Sequence, residues 1–99
     1  MVIRIAPVLR KATAILSVII PTLNAASSLP DCLIALMPGA SRGLIREVVV
    51  ADAGSTDATA AIAEEMGAVV ISAPRGRAAQ LIAGAAAARG RWLLFLHAD

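Results

Sequence analysis

At ninety-nine residues, with a formal net charge of +2, 59% hydrophobic and 16% charged residues, the chain has room for one small domain with its own core. Aromatic residues make up only 2%, with no tyrosine, and the basic residues are scattered from Arg4 to Arg91, so nucleic acid is not an expected partner. The lone cysteine, Cys32, has no internal disulfide partner and reads as a small buried hydrophobe. No Cys/His cluster has zinc spacing, and no run free of Pro, Gly and charge has transmembrane length.

In chain order, residues 1–14 (MVIRIAPVLRKATA) mix apolar and basic residues, and Pro7, Arg10 and Lys11 break any signal-peptide core. They are expected to form a poorly ordered leader. Ile15 to Ile20 predicts a first strand, ending in the loop Pro21-Thr22-Leu23-Asn24. Ser27 and Ser28 are cap candidates, and Leu29, Leu33, Leu36 and Met37 recur at helical spacing until Pro38-Gly39. Ala40 to Arg46 reads as a loop.

Val48-Val49-Val50 is a β-branched run suited to a strand buried on both faces. It stops at Ala51-Asp52-Ala53-Gly54, and Ser55, Thr56 and Asp57 offer cap chemistry to a helix from Ala58 to Met66, closed by Gly67. Ala68 to Ser72 is a short third strand. After the basic turn Ala73-Pro74-Arg75-Gly76-Arg77, an alanine-rich helix spans Ala78 to Arg89, with Leu81, Ile82 and Ala85 able to face the sheet and Gly84 allowing a close approach. Arg91 to Leu96 is the fourth strand.

The order β-α-β-α-β-α-β predicts a three-layer α/β/α Rossmann-like domain with a mostly parallel sheet. Its strand ends would share one rim, carrying Thr22, Asn24, Asp52, Arg75, Arg77, His97 and Asp99, where ligands of such sheets bind. Asp52 suits hydrogen bonds from a base or ribose, whereas Asp57 reads better as a cap. Arg75 and Arg77, just before a helix, suit an anion. His97 and Asp99, two residues apart on a strand, suit Mg²⁺ or Mn²⁺. Neither GxGxxG nor GxxxxGK[ST] occurs.

Four stretches in this order resemble the nucleotide-sugar-binding half of family-2 glycosyltransferases of the GT-A fold: Ser17 to Asn24, Val50 to Asp57, Arg77 to Gln80, and Arg89 to Asp99. The resemblance implies nucleotide-sugar-dependent glycosyl transfer, with Pro21, Thr22 and Asn24 lining a nucleotide pocket. It further implies Asp52 on the base or ribose, Arg77 or Arg75 near the base or diphosphate, and Asp99 with His97 on a divalent metal. Two departures stand out. Asp52-Ala53 replaces the family's usual paired acids, and His97-Ala98-Asp99 replaces D-x-D, as in a bacterial subset ending L-H-A-D.

Residues 15–99 are therefore expected to be the N-terminal part of such a domain, truncated after the metal-motif strand. The family's acceptor half and general base lie beyond that motif, and Glu64 and Glu65 look like a solvated face rather than a base. The expected partner is a nucleoside-diphosphate sugar in a cytoplasmic setting, with the sugar, the acceptor and membrane association of a longer parent left open. The competing expectations are a non-catalytic nucleotide-binding module and an inactive fragment of an interrupted gene.

Overall fold

A computed structural model describes the backbone of residues 3–7 and all of residues 15–98. Its elements in chain order are β1 (Ile3–Pro7), β2 (Leu16–Thr22), α1 (Leu29–Ser41), β3 (Ile45–Asp52), α2 (Thr59–Glu65), β4 (Val69–Ser72), α3 (Arg77–Ala87) and β5 (Trp92–Leu96). They build one five-stranded sheet in the order β1-β5-β2-β3-β4. β2 pairs in parallel with both β3 and β5, and β3 with β4, so the strand ends of β2, β3, β4 and β5 share a rim as expected.

The central strands are apolar on both faces because helices cover both. Val18, Ile20 and Val50 pack with Leu29 and Leu33 of α1 and Ala63 of α2 on one side. Ile19, Val49 and Leu93 pack with Ala88, Leu81 and Ala85 on the side of α3. Successive strand residues thus feed opposite layers, as the period of two requires. Gly84 is where α3 comes closest: a Cβ there would fall inside the Ile19 side chain. Leu81 and Ala85 meet the core, but Ile82 is 71% exposed. Gln80 and Gly84, one helical turn apart, occupy the sheet-facing line instead.

Four further expectations are corrected. Pro38 does not end α1, which continues to Ser41. Proline lacks an N–H but keeps its carbonyl, which accepts from Arg42 N–H at 3.1 Å and so closes the last turn. β3 then starts at Ile45, inside the stretch read as a loop. Ser28 stands at the N-cap of α1 without capping it; its hydroxyl donates back to the Ala25 carbonyl at 3.4 Å. Finally, Ile3–Pro7, read as leader, forms an antiparallel edge strand on β5, with Ile3 opposite Leu96 and Pro7 opposite Trp92.

Candidate functional site

The rim is organised by the loops after β2 and β3. Thr22 and Asp52 end these strands directly opposite one another, and the Thr22 hydroxyl donates to Asp52 Oδ1 at 2.8 Å. Ser55 adds its N–H to Oδ2 at 2.9 Å and its hydroxyl to Oδ1 at 2.5 Å. Burial pushes the Asp52 carboxyl up, but the Ser55 hydroxyl and N–H, the Thr22 hydroxyl and a Gly54 backbone bond together hold it below its ordinary range. Asp52 is therefore ionised at neutral pH, with its oxygens tied to the end of β2 and to its own loop.

Asn24 fastens the second loop to the first. It sits at φ 52°, a left-handed conformation that asparagine tolerates better than most residues. Its Oδ1 accepts from Thr56 N–H at 2.8 Å, and its own N–H donates to Ser55 Oγ at 2.8 Å. Asp57 accepts from the Thr59 hydroxyl and N–H at the start of α2, and from Ala26 N–H at 3.2 Å. The Thr59 hydroxyl leads the bonds that hold its carboxyl low. Asp57 thus braces the first residue of α2, whereas Ala58, not Asp57, stands at its N-cap.

Above these loops lies a cleft of about 580 Å³, inside the span of roughly 300–1,000 Å³ usual for small-molecule sites. Pro21, Thr22, Asn24, Arg75, Arg77 and His97 line it, together with Ser27, Ser28, Gly76 and Gln80. Six of the eight residues singled out in the sequence are therefore brought together. Asp52 is not on the cleft wall; it lies beneath, 8% exposed, behind Thr22. Asp99 lies outside the described residues. Arg75 and Arg77 are exposed, His97 is half-buried, and no Asp or Glu lines the cleft among the described residues. Such a lining favours an anion.

Gln80 was missed. It is 6% exposed, and its Nε2 donates to the carbonyls of Thr22 at 2.9 Å and Ala51 at 3.0 Å. A glutamine in an alanine-rich helix looks like part of a solvated face. The available signal was its spacing of four from Gly84, the residue already expected to touch the sheet.

For a divalent cation, the described residues offer His97 on the cleft and no cluster of three or more His, Cys, Asp or Glu. One imidazole is compatible with a metal but does not make a site. No helix among the described residues is long and apolar enough to cross a membrane.

The family model described as glycosyl transferase family 2 matches residues 17–99. Comparison with curated proteins gives no match. Among solved structures, glucosyl-3-phosphoglycerate synthase from Mycobacterium tuberculosis, in complex with Mn²⁺, uridine diphosphate and glucosyl-3-phosphoglycerate, is similar, with a TM-score of 0.78 and 29% identity over 87% of this chain and 34% of that one. The same synthase with Mn²⁺, UDP-glucose and phosphoglyceric acid gives a TM-score of 0.78 and 29% identity, over 87% of this chain and 33% of that one. A structure described as a mycobacterial protein matches at 0.78 and 29%, over 87% of this chain and 31% of that one. The chain thus spans about a third of the length of these structures.

Proposed function

The chain belongs to glycosyl transferase family 2, and from that membership we infer that its rim cleft holds the nucleoside-diphosphate sugar of a glycosyl transfer reaction. The observation that carries this reading is the cleft itself. Two exposed arginines and a histidine meet the ends of β2 and β5 in a space of ligand size, with no carboxylate among the described lining residues to repel a diphosphate. Arg75 and Arg77 would bind the diphosphate or the base edge, the fork of each matching paired oxygens. Pro21, Thr22 and Asn24 would form the wall against the nucleoside. Asp52 would act from beneath, keeping Thr22 and the Ser55 loop in place, with its remaining acceptor capacity turned to the base or ribose.

A divalent ion, Mg²⁺ or Mn²⁺, belongs to this proposal, and Asp99 and His97 are the residues that would hold it. When bound, such an ion neutralises charge on the departing nucleoside diphosphate. The Mn²⁺ and UDP present together in the similar synthase support this. The proposed setting is the cytoplasm, in keeping with the unpaired Cys32.

Binding without turnover by these ninety-nine residues is the second reading. It is favoured by the cleft lining, in which no Asp or Glu among the described residues is placed to serve as a general base. Glu64 and Glu65 are exposed on α2 and are not part of the lining. Incubation with UDP-glucose, Mn²⁺ and phosphoglyceric acid as the hydroxyl acceptor, the pair found in the similar synthase, separates the readings, with bound sugar nucleotide measured by equilibrium dialysis and released UDP by chromatography. Retention of intact UDP-glucose supports donor binding without transfer by this chain. Release of UDP at enzymatic rates would show that a base is present, and failure to retain any sugar nucleotide would remove both readings.

A further inference from the structure

Gln80 has a chemistry that its bracing role does not exhaust. Its Nε2 faces two backbone carbonyls, from Thr22 and Ala51. Carbonyls only accept hydrogen bonds, so the amide can be placed only one way round, nitrogen toward the strands and Oε1 away from them. Oε1 has no hydrogen-bond donor among the described residues, yet no buried side-chain oxygen or nitrogen is left without a partner there. With the nitrogen held by the strands, the oxygen is the end of the amide left for the cleft that Gln80 lines.

We propose that Gln80 is a specificity-determining residue, whose clamped amide presents Oε1 to an N–H or O–H donor of the bound nucleoside. The chemistry of the oxygen makes this assignment. An ionised diphosphate offers only acceptors, so Oε1 repels it and leaves it to Arg75, Arg77 and His97. The base N–H groups and ribose hydroxyls are the donors of a nucleoside diphosphate. Gln80 is also anchored for selection. Its backbone is in α3, its N–H donates to the Gly76 carbonyl at 2.9 Å, and its side chain is fixed at both strand ends. An immobilised acceptor discriminates better than a mobile one, because the wrong group leaves it unpaired.

This inference rests on the proposed donor-binding role, and the test keeps the two apart. Gln80→Lys retains N–H donors for both carbonyls but has no acceptor. Affinities for UDP and for inorganic diphosphate are measured by calorimetry on both chains. The wild type should bind UDP more tightly than diphosphate, and the substitution should shrink that ratio about tenfold while leaving diphosphate binding undiminished. An unchanged ratio overturns the role of Oε1 while leaving the nucleotide site intact. A wild-type chain that binds diphosphate as well as UDP also overturns it, since no nucleoside contact then exists. A folded wild type that binds neither overturns the donor-binding reading itself, and this inference with it. Should the variant not fold, the carbon resonance of the Gln80 amide in the wild type decides. It should move on addition of UDP and stay in place with diphosphate; an unmoved signal with saturating UDP contradicts the contact.

Discussion

At the two ends of the β2–β3 pair a hydroxyl faces a carboxylate across the same ladder: Ser17 opposite Glu47 at one, Thr22 opposite Asp52 at the other. At the first, Ser17 donates to Glu47 at 2.6 Å, while Arg89 N–H donates to Glu47 at 2.5 Å and Gly90 N–H to Ser17 at 2.7 Å. The turn between α3 and β5 is thereby drawn onto the strands. At the other end, Asp52 draws in the loop after β3, while the side toward α3 is held by the neutral amide of Gln80. Arg75, Arg77 and His97 are left around an open cleft. The same polar pair serves structure at both ends, and the site arises where two arginines and a histidine are left over.

The closed end should be the less forgiving. A Cβ on Gly90 would come within 2.6 Å of Ser17 Oγ and 2.7 Å of Ser17 N. Gly90→Val should therefore lower the unfolding free energy by about 3 kcal/mol, the upper range for overpacking. A loss below about 1 kcal/mol in urea titration would mean that this end yields. At the rim, Gly54 has φ +85° and nothing within 4 Å, so Gly54→Ala should show only backbone strain, about 1 kcal/mol.

Asp52→Ala leaves the Thr22 hydroxyl and Ser55 N–H without their acceptor and should cost about 2 kcal/mol. It should also abolish measurable UDP binding, since the loop that shapes the cleft loses its tether. Undiminished UDP affinity in a folded variant would detach Asp52 from the site.

The same carboxylate predicts a pH dependence. Its pKa is lowered on folding, so the stabilisation is complete above the unfolded value, roughly 4, and is lost as pH falls through the lower folded value. Melting temperatures from pH 7 to pH 2 should fall more steeply for the wild type than for Asp52→Asn. Parallel curves would assign the acid sensitivity elsewhere.

The smallest stability effect is expected where the functional effect is clear. Arg77→Ala and Arg75→Ala each remove an exposed side chain and should change stability by less than about 0.5 kcal/mol. Each should weaken UDP binding about tenfold, the effect of one charge-assisted hydrogen bond. Equal UDP affinity in the double variant would break the distinction between the two ends.

Much of this comparison was legible in the residues. The apolar runs around Ile19, Val49 and Leu94 announced buried parallel strands, and the loops after them announced the rim, because period and turn chemistry are local properties. The illegible features depend on partners distant in sequence. Ile3–Pro7 becomes a strand only because β5, at the other end of the chain, offers an edge. The place of Asp52 at the rim was legible, but its donors Thr22 and Ser55 were not, because Thr22 lies on another strand. Gln80 was given no role because its carbonyl partners lie 58 and 29 residues away. Pro38 misled for a different reason: proline disrupts the turn before it, whereas the last turn of α1 uses only its carbonyl.

The most direct test of a nucleoside-diphosphate site at the open end is calorimetric titration of the purified, folded chain with UDP and GDP, with and without Mn²⁺. Saturable binding of one of them at one site per chain, strengthened by Mn²⁺, is the predicted result. A folded chain that gives no heat with either nucleotide, in the presence or absence of the metal, would contradict it.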